Sequence, residues 1–187
     1  MALHFTADLH LFHKKAVEFR GFNCSDGMHD ILRSKWNKKV HPNDTVYILG
    51  DLSFGKPLDT LKLLESFNGK KCLIRGNHDN TKYIKAYAAS GMFEWIEHYY
   101  ELKHVFADGT KKDIIMSHFP MLSWNKSHYG SWHLHGHCHG YLRAPETTRL
   151  DIGVDTNNLE VYSMDDITEI MKNRKYIAYD HHTEVEQ

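Results

Sequence analysis

Gly136-His137-Cys138-His139-Gly140 sets two imidazoles two residues apart between glycines. In an extended segment, residues i and i+2 share a face, so both rings would enter one site while Cys138 points away, buried and inert. Imidazole is the commonest side-chain metal ligand, and flanking glycine lets the backbone turn closely around whatever the rings hold. With 12 Gly and 16 His in the chain, random order gives only about 0.09 Gly-His-x-His matches. Asp8 and His10 have the same i, i+2 relation, but about 1.2 such Asp-x-His pairs are expected by chance, so that pair needs partners to mean anything. Asp51, Asn77, His78 and His118 are candidates for that role. Together these residues offer carboxylate oxygen, amide oxygen and imidazole nitrogen without thiolate, a set that suits Mn, Fe, Zn or Ni and not a structural zinc–thiolate centre.

Each candidate follows a predicted strand. Residues 3–7, 45–49, 71–75 and 111–116 are short apolar or β-branched runs, and 131–135 leads into the Gly-His-x-His stretch. Asp51 directly after such a run is costly to desolvate unless a metal, or a turn that it caps, satisfies it. Ligand sites in sheets with helices on their faces gather beyond the carboxyl ends of the strands, so these distant residues can converge on one edge. Helices are expected over 13–19, 29–40 (Ile31, Leu32, Trp36, Val40 as the apolar line), 57–67 (Leu58, Leu61, Leu63, Leu64) and from Asn80-Thr81 to Ala89 with Gly91 closing it. Asp108-Gly109 marks a hairpin between 99–106 and 111–116. Late strands are expected at 151–156 and 159–162, and Ser163-Met164-Asp165-Asp166 has a capping-box pattern opening a helix to Asn173.

The chain has 187 residues and a net charge of −1. That length suits one domain, 1–187, with a polar tail from about 180. The near-neutral balance gives no pull toward duplex nucleic acid or an anionic membrane, so tight duplex binding is not expected. Three cysteines make no disulfide framework, and the N-terminal residues lack a basic stretch followed by an apolar run; a cytoplasmic protein with free thiols is expected.

Asp8-x-His10, Gly50-Asp51, Gly76-Asn77-His78-Asp79, Ser117-His118 and Gly136-His137-x-His139 resemble, in order, the five motif blocks of the calcineurin-like metallophosphoesterase superfamily. The text around them, Asp51-Leu52-Ser53-Phe54-Gly55 and Ser131-Trp132-His133-Leu134-His135-Gly136, is similar to the small bacterial and phage members. The resemblance implies an α/β fold: a four-layer αββα sandwich of two mixed sheets flanked by helices. It implies two divalent ions, Mn first among the candidates. Asp8, His10 and His139 would hold one, Asn77, His118 and His137 the other, and Asp51 would bridge them. His78 would contact the phosphoryl oxygens or protonate the leaving group; a hydrogen bond to Asp51 or Asp8 is the structural alternative. Large phosphoprotein phosphatases of the superfamily carry an Asp three residues after the bridging one; here Phe54 stands there, so Asp79, a water or nothing orients His78.

The expected reaction is hydrolysis of a phosphoester by in-line attack of a metal-bound hydroxide, with a phosphodiester such as a nucleotide favoured as substrate. A phosphomonoesterase or pyrophosphatase-like hydrolase is the alternative, and a metal-bearing scaffold with little turnover is the second. Asn77 and His78 are expected to touch substrate. His13 is expected to line the pocket, and Arg20 either to reach a phosphate or to be a plain surface residue. The remaining histidines, among them His133 and His135, are expected to pack or to support the ligands.

Overall fold

The computed structural model describes residues 1–143 and 147–178. Among the described residues, nine strands form two mixed sheets. The first sheet contains β1 (Leu3–Thr6), β2 (Thr45–Leu49), β3 (Lys70–Ile74), β4 (Phe93–Glu97) and β9 (Tyr162–Ser163), in the order β4-β3-β2-β1-β9. The strands β1 to β4 are parallel, and β9 is antiparallel to β1. The second sheet has the order β5 (Tyr99–Val105), β6 (Lys111–Ser117), β7 (Trp132–His135), β8 (Arg149–Asp151). The pair β5/β6 is the expected hairpin, while β6/β7 and β7/β8 run parallel.

Period-2 alternation in the first sheet explains its two dry faces. Val46, Ile48 and Leu73 point to a cluster with Leu32, Trp36 and Leu64 from the helices. Tyr47, Leu49, Cys72 and Ile74 point the other way, onto Ile114, Met116, Trp132 and Leu134 of the second sheet. The helices α1 (Lys14–Phe19), α2 (Ser25–Lys39), α3 (Pro57–Leu64) and α4 (Thr81–Ser90) supply the first cluster, and α5 (Met164–Met171) joins the second. Near Ile115 and His133 the outer face of the second sheet is covered by segment 119–131. His133 ties it down, with Nδ1 3.0 Å from Ile115 O and Nε2 accepting the Met121 N–H at 3.0 Å.

Several local expectations need correction. The helix expected from His29 begins at Ser25, because Cys24 Sγ accepts the Gly27 N–H. Its buried line is Met28, Leu32 and Trp36, one turn apart, and Ile31 faces solvent. Leu58 is likewise exposed; Thr60 and Leu64 form the buried side of α3. The strand β4 was not among the expected elements, since Glu94 and Glu97 interrupt its apolar run at the sheet edge. The strand expected at 151–156 closes at Asp151, and 154–156 is a 3-10 turn; that expected at 159–162 shrinks to β9. The capping box is present, with Ser163 and Asp166 bonded reciprocally. The tail from about 180, with His181 and His182, lies outside the described residues.

Candidate metal centre

Parallel pairing ends β1, β2 and β3 at one edge of the first sheet, and β6 and β7 end together in the second. The connections after these strands are laced to each other. The Asp8 N–H donates to Gly50 O and the His10 N–H to Asp51 O, both at 3.0 Å. The two sheets are joined where the His137 N–H donates to the Asp8 carboxylate (2.9 and 3.1 Å) and where His118 Nδ1 lies 2.8 Å from Leu49 O.

The expected extended geometry of the His-x-His and Asp-x-His pairs does not occur. Asp8, His10, Asp51, His137 and His139 all have left-handed backbone, with φ between 47° and 70°. Each such non-glycine residue costs about 1–3 kcal/mol, and strain of this kind collects at functional sites. In the Gly-His-x-His stretch the Cys138 N–H closes a γ-turn on Gly136 O at 2.8 Å. This tight turn, not strand alternation, aims the two rings. It also leaves Cys138 half-buried rather than buried; burial still raises its thiol pKa.

Two glycines admit the crowding. A Cβ on Gly76 would lie 2.2 Å from Asp51 Oδ1, and one on Gly136 would lie 2.7 Å from Asp8 Oδ2 and 2.5 Å from Ala7 Cβ.

The seven expected ligands come together. Ligand atoms of Asp8, His10 and His139 lie within 4.8 Å of one another, as do those of Asp8, Asp51 and His118. Asn77 Oδ1 is 2.8 Å from His118 Nε2 and 2.9 Å from His137 Nδ1. Asp51 spans the two groups, with Oδ2 3.7 Å from His10 Nε2 and Oδ1 3.5 Å from His118 Nε2.

The donor chemistry fits a metal. The Leu49 carbonyl can only accept, so His118 Nδ1 carries the proton and Nε2 turns a lone pair toward the Asn77 and Asp51 oxygens. Lone pairs facing one another at such distances are repulsive, and a cation among them would relieve that repulsion. His10 is buried with neither ring nitrogen partnered, a costly state for a polar group. Burial, then the neighbouring His139, Arg20, His13 and His78, holds its pKa down at about 3, so the ring is neutral and able to ligate. Burial pushes the Asp8 carboxyl up to about 8, and a cation alongside would return it to the ionised form.

Asp155, in the turn after β8, was not singled out in the sequence. Its Oδ2 accepts from His139 Nδ1 at 2.6 Å, leaving His139 Nε2 free to ligate. Burial opposes ionisation of Asp155, but hydrogen bonds from Arg20 and His139 overcome it and take the carboxyl down to about 2. An aspartate shortly after a strand-end glycine was the only signal, too common to act on.

Arg20 corrects an expectation. Its Nε and Nη2 donate to Asp155 (2.7 and 2.8 Å), Nη2 also to Asp8 O (2.7 Å), and Nη1 to Leu9 O (2.9 Å) and Met28 Sδ (3.6 Å). A guanidinium has five N–H groups, so none remains for a phosphate. The side chain is 3 % exposed, and it braces the first ligand loop from behind.

His78 stands at the mouth. Its side chain is 49 % exposed with Nε2 4.0 Å from Asp51 Oδ2, while its backbone N–H holds Asp51 Oδ1 at 2.9 Å. Phe54 packs against this ring at 5.0 Å and stacks on His13 at 3.8 Å, so the position of the absent carboxylate is filled by an apolar wall. Asp79 does not orient His78; its carboxylate accepts the Gly76, Asp51 and Leu52 N–H groups. His135 and His29 hold backbone and take no part in the cluster.

Two mixed sheets flanked by helices, with strand ends converging on Asp, Asn and His, define a class of α/β metal-site proteins. The model of the calcineurin-like phosphoesterases matches residues 1–182, and the chain belongs to that family. It is 30% identical over 190 residues to the Gene 66 protein of Mycobacterium phage D29, covering 89% of this chain and 94% of that protein. It is 28% identical over 185 residues to an uncharacterized protein of Methanocaldococcus jannaschii, covering 94% of each. A crystal structure of a protein of unknown function from Aquifex aeolicus shares the fold, with a TM-score of 0.67, 22% identity, and coverage of 90% of this chain and 98% of that one. Family membership makes the chain a phosphoesterase-type hydrolase with residues able to hold metal. No helix among the described residues is long and apolar enough to cross a membrane.

Proposed function

We propose that the protein is a dinuclear, divalent-metal-dependent phosphodiesterase, acting as a single cytoplasmic domain. The observation that carries this reading is the pair of imidazole nitrogens on Asn77 Oδ1, with the proton of His118 committed to Leu49 O. Asp8, His10 and His139 would hold one ion, Asn77, His118 and His137 the other, and Asp51 would turn one oxygen toward each. Mn is the ion that the family resemblance puts first, and Fe, Zn or Ni fit the same mixed oxygen and nitrogen donors. Bound ions would supply positive charge at the phosphoryl oxygens and an activated water.

The remaining work falls to the chain's own groups. Asp155 holds His139 in the tautomer that frees Nε2. His78, at the solvent edge, delivers a proton to the leaving oxygen. Phe54 packs beside the His78 ring, which faces the Asp51 carboxylate at 4.0 Å. A diester is favoured over a monoester because a dianion gains from free cationic side chains, and every Arg20 donor is engaged inside the protein.

Reconstitution with excess Mn²⁺ tests the reading. Metal analysis should approach two ions per chain, and bis(p-nitrophenyl) phosphate should be hydrolysed faster than p-nitrophenyl phosphate. A plateau at one ion removes the dinuclear centre. Faster monoester turnover makes the enzyme a phosphomonoesterase. Full metal without turnover leaves a binding protein.

A further inference from the structure

Beside the ligand cluster lies a second cavity of about 320 Å³, bordered by His139, Phe19, Tyr141, Leu159 and Asn158. His139 belongs to both, so a group in this cavity sits next to the place where a phosphoryl group would be held. The walls are aromatic and unusually open to water: Phe19 is 59 % exposed and Tyr141 85 %. The Arg20 guanidinium lies 5.3 Å from the centroid of the Phe19 ring, and that ring meets His139 edge-on at 5.9 Å.

The Arg20–Asp155 pair on the cavity border gives an anionic occupant little support. Arg20 and Asp155 lie on its edge but neutralise each other, and every Arg20 donor is engaged. A second phosphate would find no free Arg20 donor there. Besides the Tyr141 hydroxyl, the border carries the Asn158 side-chain amide, which makes no hydrogen bond among the described residues. It presents a donor and an acceptor side by side, the complement of a heterocyclic base edge. Aromatic faces, a self-paired Arg20–Asp155 and an amide suit a flat, hydrogen-bonding ring.

We infer that this cavity binds the base of a nucleoside phosphoester; the inference rests on the phosphoesterase reading for the group beside it. Stacking would come from Phe19 and Tyr141 and edge recognition from Asn158. The aliphatic side of Leu159 would close the floor.

Calorimetric titration of the Mn²⁺-loaded protein with adenosine 5′-monophosphate and with ribose 5-phosphate tests this without turnover. The nucleotide should bind at least about 10-fold tighter, within the range that one base–aromatic stack contributes. A Phe19→Ala/Tyr141→Ala double variant should lose that advantage; both side chains are exposed, so the fold should survive. Equal affinity for the two ligands overturns the inference, as does an advantage that persists in the double variant. Turnover of methyl p-nitrophenyl phosphate is scored separately. If it is absent while the nucleotide preference holds, the base site stands and the phosphodiesterase reading falls.

Discussion

Asp79 Oδ2 accepts the backbone N–H of Asp51 at 3.0 Å, so the loop after β3 fixes the backbone of the residue proposed to lie between the two metals. The same carboxylate takes the Gly76 N–H at 2.7 Å and the Leu52 N–H at 3.0 Å. Asp79→Asn leaves one oxygen for these three donors and turns an NH₂ group onto an N–H. Urea unfolding should show a loss of about 1–3 kcal/mol. The variant's sensitivity to leaving-group basicity should match wild type; a change would mean that Asp79 acts through His78.

His78→Ala should keep both metals, because Asn77 and not His78 offers the ligand atom. Turnover should fall by about 10²–10⁴ for diesters with basic leaving groups, and much less for nitrophenyl esters. Equal losses on both would assign His78 to the phosphoryl oxygens, and loss of metal would make it a ligand or a support for one.

Asp155→Asn should weaken one metal site. Asn keeps one oxygen, which cannot serve both Arg20 Nε and His139 Nδ1, and a weakened partner of this kind typically costs about 10–100-fold in metal affinity. Arg20 also loses its counter-ion inside the protein, so stability should drop by about 3–5 kcal/mol. Mn²⁺ titration by calorimetry reads the first effect and urea unfolding the second. Unchanged affinity at the weaker site would remove Asp155 from the centre.

Gly136→Ala places a methyl group against Asp8 Oδ2 and Ala7 Cβ, with Leu49 O 3.2 Å away. Neighbours in the sheet cannot yield freely, so a cost of about 1–3 kcal/mol is expected. Asp8 is the softer of the contacts, and metal content should fall with it. A variant that keeps two ions and wild-type stability would show that the strand ends separate more easily than their packing implies.

Asp44 offers a pH test away from the centre. Bonds from the Ala2 and His41 N–H groups take its carboxyl from 3.8 down to about 2. A lowered folded-state value stabilises the protein above the unfolded value and is lost as pH falls through the folded one. In metal-free protein the urea midpoint should therefore decline between about pH 4 and pH 2. Asp44→Ala should flatten that decline; an unchanged slope would put the acid sensitivity elsewhere.

The candidate ligands were legible in the chain as residues of metal-binding type at strand ends, and the resemblance to the five motif blocks divided them into the proposed sets. Asp8, His10, Asp51, Asn77, His118, His137 and His139 each come after an apolar run that can be seen without coordinates. Most helix ends were legible for the same local reason: Asn80 caps α4, Ser163 caps α5, and Gly91 ends α4. How the pairs aim their rings was not legible, since left-handed φ at five of these residues depends on the loops that brace one another across 129 residues between Asp8 and His137. Arg20 could be seen as a phosphate donor or as a surface residue, and its actual partner, Asp155, lies 135 positions away. Local sequence carries propensity and ligand type; which donors are already engaged is a property of surfaces that meet only when the two sheets close.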